Sequence, residues 1–170
     1  MVVNKPYLLP ALDKDFIWLR ENLQEKDRKE LNATLRFLKT YKKVFFFGLK
    51  HDYDNCYTGF YDNKIILGCG VRLREDLPEG WGEVWLLTSK RAKQYPKAYF
   101  KLCCMAIAKG FERAPKALIL ATMDEYEEAV SVNKRLGFKK DDKPIIINGK
   151  IFYVWILEKE NFKYGASYGI

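Results

Sequence analysis

The stretch from Gly82 to Phe138 limits the fold of this chain more than any other part of the sequence. A strand pattern at 83–87 leads through a basic turn to a helical pattern at 96–111. A second strand pattern at 117–122 leads to a helical pattern at 125–136. Strands that alternate with helices in this way predict an α/β core.

The last helix of this core is predicted to end at Gly137. Glycine readily takes the left-handed backbone conformation of a helix C-cap, and Phe138 behind it can pack back onto the helix.

The turn before the first of these helices concentrates positive charge, with Lys90, Arg91, Lys93 and Lys97 close together. A helix N-terminus presents free N–H groups and the positive end of the helix dipole, so this arrangement predicts a phosphate-binding site. The net charge of the chain is +8, which leaves three kinds of partner open: a nucleic acid, an acidic protein surface or an anionic cofactor.

The N-terminal part is predicted to form a strand at 5–12 and two helices at 14–24 and 26–40, with Asp13 as the first N-cap. Residues 44–49 are predicted to be a strand or a buried extended segment, and further strands are predicted at 56–61 and 64–73. Asp62-Asn63 suits a tight hairpin turn, and Gly68 and Gly70 indicate a bulge or a close backbone approach.

The C-terminal part is predicted to form a hairpin of strands at 144–147 and 151–157, joined by Asn148-Gly149. Residues 139–143 are interpreted as a charged connection. The predicted order is β-α-α-β-β-β-α-β-α-β-β. It describes an α/β (α+β) fold with a mixed sheet and helices on both faces.

Hydrophobic residues make up 48% of the 170 positions, which predicts one domain over 1–160 with an exposed extension at 161–170. The four cysteines lack the spacing of a metal site, and His51 is the only imidazole, so free buried thiols, a surface histidine and no metal site are expected. No apolar run reaches the roughly 20 residues of a membrane span, and the N-terminus lacks signal-peptide order, so a cytoplasmic location is expected.

This layout resembles the core of the GNAT superfamily of N-acetyltransferases, whose sheet is mixed and mostly antiparallel. In that superfamily the turn after the fourth strand carries the pattern Arg/Gln-x-x-Gly-x-Gly/Ala, which holds the pyrophosphate of acetyl-CoA. Aligning Lys93 with the first position places Pro96 and Ala98 in the small-residue positions, whereas aligning Gln94 places Lys97 and Tyr99 there. This turn has no glycine, so side-chain charge would replace part of the main-chain donation.

A second motif of the superfamily, Asn-x-x-Ala-x-x-x-Tyr-x-x-x-Gly-Phe, resembles the run from Tyr126 to Phe138. Ala129, Gly137 and Phe138 match, and Asn133 stands where the tyrosine would protonate the leaving thiolate. Tyr126 is the substitute that the same helix offers.

The resemblance implies acetyl-CoA as cosubstrate and an amine as acceptor. Glu83 would be the base, Tyr126 the acid, and main-chain N–H groups near Leu87 would polarise the thioester. The implied cofactor-binding residues are Leu87, Thr88, Lys90, Arg91, Lys93, Gln94, Lys97, Ala98 and Asn133.

A closer resemblance covers about residues 56–157. The signature Trp-x-x-Thr-Ser, here Trp85 to Ser89, is similar to that of short-tailed bacteriophage proteins with a reduced acetyltransferase-like fold, among them an internal virion protein. Three functions follow as alternatives: an N-acetyltransferase, a non-catalytic phage protein that joins the virion or binds a host factor, and a nucleic-acid binder. In the last, Tyr95 and Tyr99 beside Lys93 and Lys97 would stack on bases. A phage-encoded protein would reside in the host cytoplasm or the virion.

Overall fold

A seven-stranded sheet forms the centre of the computed structural model, which describes residues 5–37 and 55–168. The strands are β1 (Tyr7–Pro10), β2 (Cys56–Tyr61), β3 (Lys64–Arg72), β4 (Trp81–Thr88), β5 (Ala117–Met123), β6 (Lys139–Ile147) and β7 (Lys150–Glu158). They lie in the order β1-β2-β3-β4-β5-β7-β6, and only the β4–β5 pair is parallel. The predicted mixed, mostly antiparallel sheet and the predicted order of elements are confirmed.

In the part of the chain that the structure describes, four α-helices flank this sheet: α1 (Asp13–Asn22), α2 (Glu25–Phe37), α3 (Pro96–Arg113) and α4 (Glu127–Leu136). Side chains of β4 show the two faces, because neighbouring residues of a strand point in opposite directions. Val84 packs in the cluster that contains Leu102 of α3, whereas Leu87 packs in the cluster that contains Phe16 of α1. The sheet is therefore covered by helices on both faces, as predicted.

The two hairpin turns form where the sequence predicts them. Asp62 and Asn63 have φ values of 53° and 54°, and Asn148 has a φ of 49°, as the two predicted hairpins require. Gly68 and Gly70 are sites of close approach: an added Cβ would lie 2.8 Å from Leu19 and 2.6 Å from the Trp85 ring, respectively.

Three local predictions are wrong. Leu12, not Asp13, is the N-cap of α1, and its N–H donates to the Asp15 carboxylate at 3.2 Å. Residues 139–143 belong to β6, which pairs with β7 irregularly between Lys140 and Pro144.

The third is the exposed extension after Asn161. Phe162 is only 6% exposed and its ring lies 5.8 Å from that of Phe111, because the segment folds back onto α3.

All four cysteines are buried and none forms a disulfide, as predicted. Residues 44–49, predicted to be a strand or a buried extended segment, and His51 lie outside the described residues. Among the helices of 5–37 and 55–168, none is long and apolar enough to cross a membrane.

Gly137 has a φ of 106°, which confirms the predicted left-handed C-cap of α4. A Cβ here would also overlap the main-chain oxygen of Asn161. We expect Gly137→Ala to lower the free energy of unfolding by about 2–3 kcal/mol, from backbone strain and this overlap together.

Gly149→Ala is the matched control for this substitution. Gly149 has a φ of 74° but no atom within 4 Å of an added Cβ, so only the strain of about 1 kcal/mol applies. Urea unfolding of both variants measures the difference, and equal losses would show that the contact with Asn161 is unimportant.

Candidate active site

Strands β4 and β5 pair only where they begin. Residues 81–83 pair with residues 117–119, after which β4 continues to Thr88 and β5 to Met123 without pairing with each other. The separation opens a cleft between the carboxyl ends of the two parallel strands. The strand edges that face the cleft carry main-chain polar groups that a ligand can reach.

The main-chain direction of β4 is set at Thr88. Its N–H donates to Asp27 at 2.9 Å and its carbonyl accepts the Gln24 N–H at 2.9 Å, so both groups point away from β3. The N–H of Ser89 points the other way and donates to Ile66 of β3 at 2.9 Å.

Since these directions alternate along a strand, the N–H of Leu86 faces the cleft and that of Leu87 faces β3. Leu87 is the register partner of Gly68. Among the main-chain N–H groups near Leu87, the one that faces the cleft is therefore that of Leu86.

A cavity of about 350 Å³ occupies the cleft and extends between α2, α3 and α4. Its wall is mainly apolar, with Val84, Leu86, Leu120, Val132 and Phe152 among the lining side chains. This volume lies within the range of small-molecule sites, which are typically apolar with a few polar groups.

Helix α2 supplies a polar edge of the cavity. Asp27, Glu30, Leu31 and Thr34 line it at the i, i+3, i+4, i+7 spacing of one helix face. Asp27 accepts the Thr88 N–H at the end of β4, and Glu30 accepts the N–H of Met123 at 2.6 Å at the end of β5. Two carboxylates of α2 thus bridge the separated strand ends.

Burial changes the ionisation of both acids. It raises the pKa of Asp27 to about 7 and that of Glu30 to about 8, and the hydrogen bonds from Thr88 and Met123 only partly oppose it. The negative charge of Asp27 raises the pKa of Glu30 further. Both groups therefore exchange protons near neutral pH.

Tyr126, the predicted acid, stands at the N-cap of α4 and lines the cavity. Its hydroxyl donates to Gln24 Oε1 at 3.4 Å and forms a hydrogen bond with Asp27. Burial, followed by the charges of Asp27 and Glu30, raises the pKa of Tyr126 far above its ordinary value. The hydroxyl consequently keeps its proton at neutral pH.

Glu83, the predicted base, also lines the cavity but is held by two arginines. Arg72 Nη2 lies 2.5 Å and Arg74 Nη1 lies 3.3 Å from Glu83 Oε2. Arg72 is the register partner of Glu83, so strand pairing itself forms the first ion pair. An acceptor amine would have to compete with both guanidinium groups for this oxygen.

The basic turn forms a short 3-10 helix (Lys90–Gln94) before Pro96, the first residue of α3. The guanidinium of Arg91 lies 4.5 Å from the ring centre of Trp18 on α1. The predicted phosphate-binding side chains that remain exposed are Lys90, Lys93, Gln94 and Lys97. Ala98 is buried.

Within the described residues, the cavity lining passes from Thr88 directly to Tyr99. The basic turn therefore connects two lining residues without forming the wall itself. The basic side chains of the turn and the free N–H groups in the first turn of α3 follow closely in sequence after Thr88, where β4 ends.

Asn133 is 6% exposed and lines the cavity, where its amide donates to Thr122 Oγ1 at 3.2 Å. Tyr95 and Tyr99, the proposed base-stacking residues, are partly buried and pack against the hydrophobic core, and base stacking by them stays a prediction. Tyr95 lies 5.2 Å from Tyr61, and Tyr99 lines the cavity.

Asp27 and Glu30 could not be recognised as site residues from the sequence. They lie in a charged stretch of α2 that is typical of a solvated helix face. The available signal was their spacing: together with Leu31 they continue the buried face of the helix. Across residues 5–37 and 55–168, no three His, Cys, Asp or Glu side chains are grouped to hold a metal ion.

The fold is that of the GNAT acetyltransferases. No family model matches the chain, and no curated protein matches its sequence. An uncharacterised protein of Bacillus halodurans superposes with a TM-score of 0.73 at 14% identity, covering 98% of this chain and 90% of that one.

Two enzymes are also similar in structure. A Bacillus subtilis acetyltransferase in complex with CoA has a TM-score of 0.61 at 15% identity, with 91% of this chain and 98% of that chain covered. The spermidine N-acetyltransferase of Vibrio cholerae, in complex with CoA and spermine, has a TM-score of 0.66 at 13% identity, with 92% and 97% covered. At these identities the likeness establishes the fold.

Proposed function

We propose that this protein transfers an acetyl group from acetyl-CoA to an amine. The observation that carries the proposal is the cleft between β4 and β5, which has an apolar cavity, a free strand edge and a basic helix start at one end. Structurally similar proteins include enzymes solved with CoA bound.

Each part of the cleft suits one part of the cosubstrate. The apolar wall would take the pantetheine arm, and the N–H of Leu86 would donate to the thioester oxygen as negative charge develops there. The pyrophosphate would lie at the start of α3, near Lys90, Arg91, Lys93 and the N–H groups of Lys97 and Ala98. Gln94, Thr88 and Asn133 would contact the remaining polar groups of the cosubstrate.

The amine nitrogen would form a bond to the thioester carbon, and the C–S bond would then break. The thiolate that leaves must gain a proton. Tyr126 lines the cavity and is the proposed donor. Because burial raises the pKa of Tyr126, its hydroxyl would pass a proton to the thiolate only as it receives another from the nitrogen.

Binding of CoA tests this function directly. At about 100 times its dissociation constant a ligand adds about 2.7 kcal/mol, so CoA is expected to raise the unfolding temperature by roughly 5–10 °C. Lys93→Glu should reduce the shift because it reverses a charge at the proposed pyrophosphate site. Lys163→Glu, an exposed position after β7, is the matched control and should keep it.

An unchanged unfolding temperature at millimolar CoA would argue against an acetyltransferase. The second candidate is then a phage protein that binds a host factor or joins the virion without catalysis. The turn without glycine and the carboxylates already bound to Thr88 and Met123 favour that alternative.

A further inference from the structure

We propose that Asp27, and not Glu83, accepts the proton of the acceptor amine. The inference rests on the proposed function and assigns its base to a helix outside the two motifs. An alkylammonium ion has no lone pair, so some group in the cleft must take a proton before the nitrogen can attack the thioester.

Asp27 is placed where this proton is released. It is 5% exposed, lines the cavity and bonds to the N–H of Thr88. That N–H lies on the same edge of β4 as the N–H of Leu86, about 7 Å further along the strand. An amine that attacks a carbonyl held at Leu86 from the side of Thr88 would lie between Leu86 and Asp27.

Glu83 is less suited to the task because its carboxylate is engaged. Arg72 donates to Oε2 through both Nε and Nη2, and Arg74 donates to the same oxygen. The Asp27 carboxylate has no such charged donor among its described contacts, which are the Thr88 main chain, the Thr88 side chain and the Tyr126 hydroxyl.

The groups around Asp27 are acidic or neutral. Glu30 faces it from α2, Tyr99 and Cys103 from α3, and Tyr126 from the start of α4. Burial raises the pKa of Asp27 to about 7, where a base is both ionised and strong enough to remove a proton.

The step balances in atoms and charge. The Asp27 carboxylate takes one proton from the ammonium ion, and the resulting amine forms the C–N bond as the C–S bond breaks. The thiolate gains the second nitrogen proton, directly or through the Tyr126 hydroxyl. Asp27 then releases its proton to water, so the products are an amide, CoA and one proton.

The test measures kcat/KM for n-butylamine and for spermine with saturating acetyl-CoA, from about pH 5.5 to 9.5, by the release of free thiol. The ionisation of the amine is the same for every variant, so differences between the pH profiles report on the protein. The wild-type rate should fall on the acid side, near the pKa of Asp27.

Asp27→Asn keeps an acceptor for the Thr88 N–H but cannot take a proton. We expect it to lose about 10²–10⁴ in kcat/KM together with the acid limb of the profile. Asp124→Asn is the matched control, because Asp124 is exposed and pairs with Lys140 outside the cavity. It should leave the rate and the profile unchanged.

Tyr126→Phe is a second variant, needed if Asp27→Asn does not fold. The Tyr126 hydrogen bond lowers the pKa of Asp27, so its loss should move the acid limb to higher pH. A residue with a structural role alone would leave the position of this limb unchanged.

The outcomes are distinct. Wild-type turnover with an unaltered Asp27→Asn profile, or with the limb lost in Glu83→Gln instead, overturns the role of Asp27 alone. CoA binding without turnover of either amine overturns the proposed transferase function and this role with it.

Discussion

The free energy of unfolding should fall as the pH rises from about 4 to about 8. Glu30 and Asp27 have ordinary pKa values of 4.5 and 3.8, which burial raises to about 8 and about 7 in the folded protein. Between these limits the folded state binds more protons than the unfolded state, so stability decreases with pH. Below the lower limits the two groups are neutral in both states.

The expected size is large. At about 1.4 kcal/mol per pKa unit, Glu30 alone removes up to about 5 kcal/mol by pH 9. Exposed acids with lowered pKa values, such as Asp76 and Glu128, act in the opposite direction, but solvent screens their ion pairs. Asp27, which is buried, and Glu30, which is partly buried, therefore determine the sign of the pH dependence.

Glu30→Gln isolates the effect. The amide keeps an acceptor for the Met123 N–H and carries no charge, so the variant should be more stable than wild type at pH 9 and similar at pH 4.5. Urea unfolding at both pH values measures this. Glu112→Gln, which removes an exposed partner of Lys109, is the control. Equal wild-type stability at the two pH values would contradict the burial of charge at this site.

Phe162→Ala should lower the free energy of unfolding by about 3–5 kcal/mol, the usual cost of removing a buried aromatic ring. The ring of Phe162 lies among Phe111 and Tyr164, and Tyr164 in turn contacts Phe100 of α3 at 5.3 Å. The segment after β7 is thereby part of the hydrophobic core.

The neighbouring substitution Lys163→Ala supplies the comparison, since Lys163 is exposed and its loss should change stability by less than about 0.5 kcal/mol. Chemical denaturation of the two variants distinguishes a packed segment from a free extension. Similar, small losses in both would restore the interpretation of an exposed arm.

Local chemistry explains which parts of the fold were predictable. The hairpins at Asn63 and Asn148 and the C-cap at Gly137 depend on backbone preferences of a few residues, so they could be located from the sequence. The prediction for residues 139–143 was wrong because it also depended on local pattern. Strand β6 is an edge strand, and its exposed charged residues show no alternation.

The site was less predictable because it depends on contacts between distant residues. Glu83 was found through its position in a motif, but the two arginines that hold it lie on and after β3. The burial of Asp27 follows from the separation of β4 and β5, which no local pattern indicates. Charged residues on a helix usually face solvent, so Asp27 and Glu30 of α2 were not recognised as lining a site.

The glycines of β3 have a consequence for the opposite side of the molecule. With only hydrogen at Gly68, Phe16 and Leu19 approach the strand closely enough to exclude even a methyl group. Helix α1 thus packs close to the sheet. Leu23 and Gln24, which connect α1 to α2, are bonded to Ser89 and Thr88 at the end of β4, so the position of α1 also fixes where α2 begins. The close packing of α1 on Gly68 of β3 thereby sets how far Asp27 and Glu30 reach into the cleft between β4 and β5.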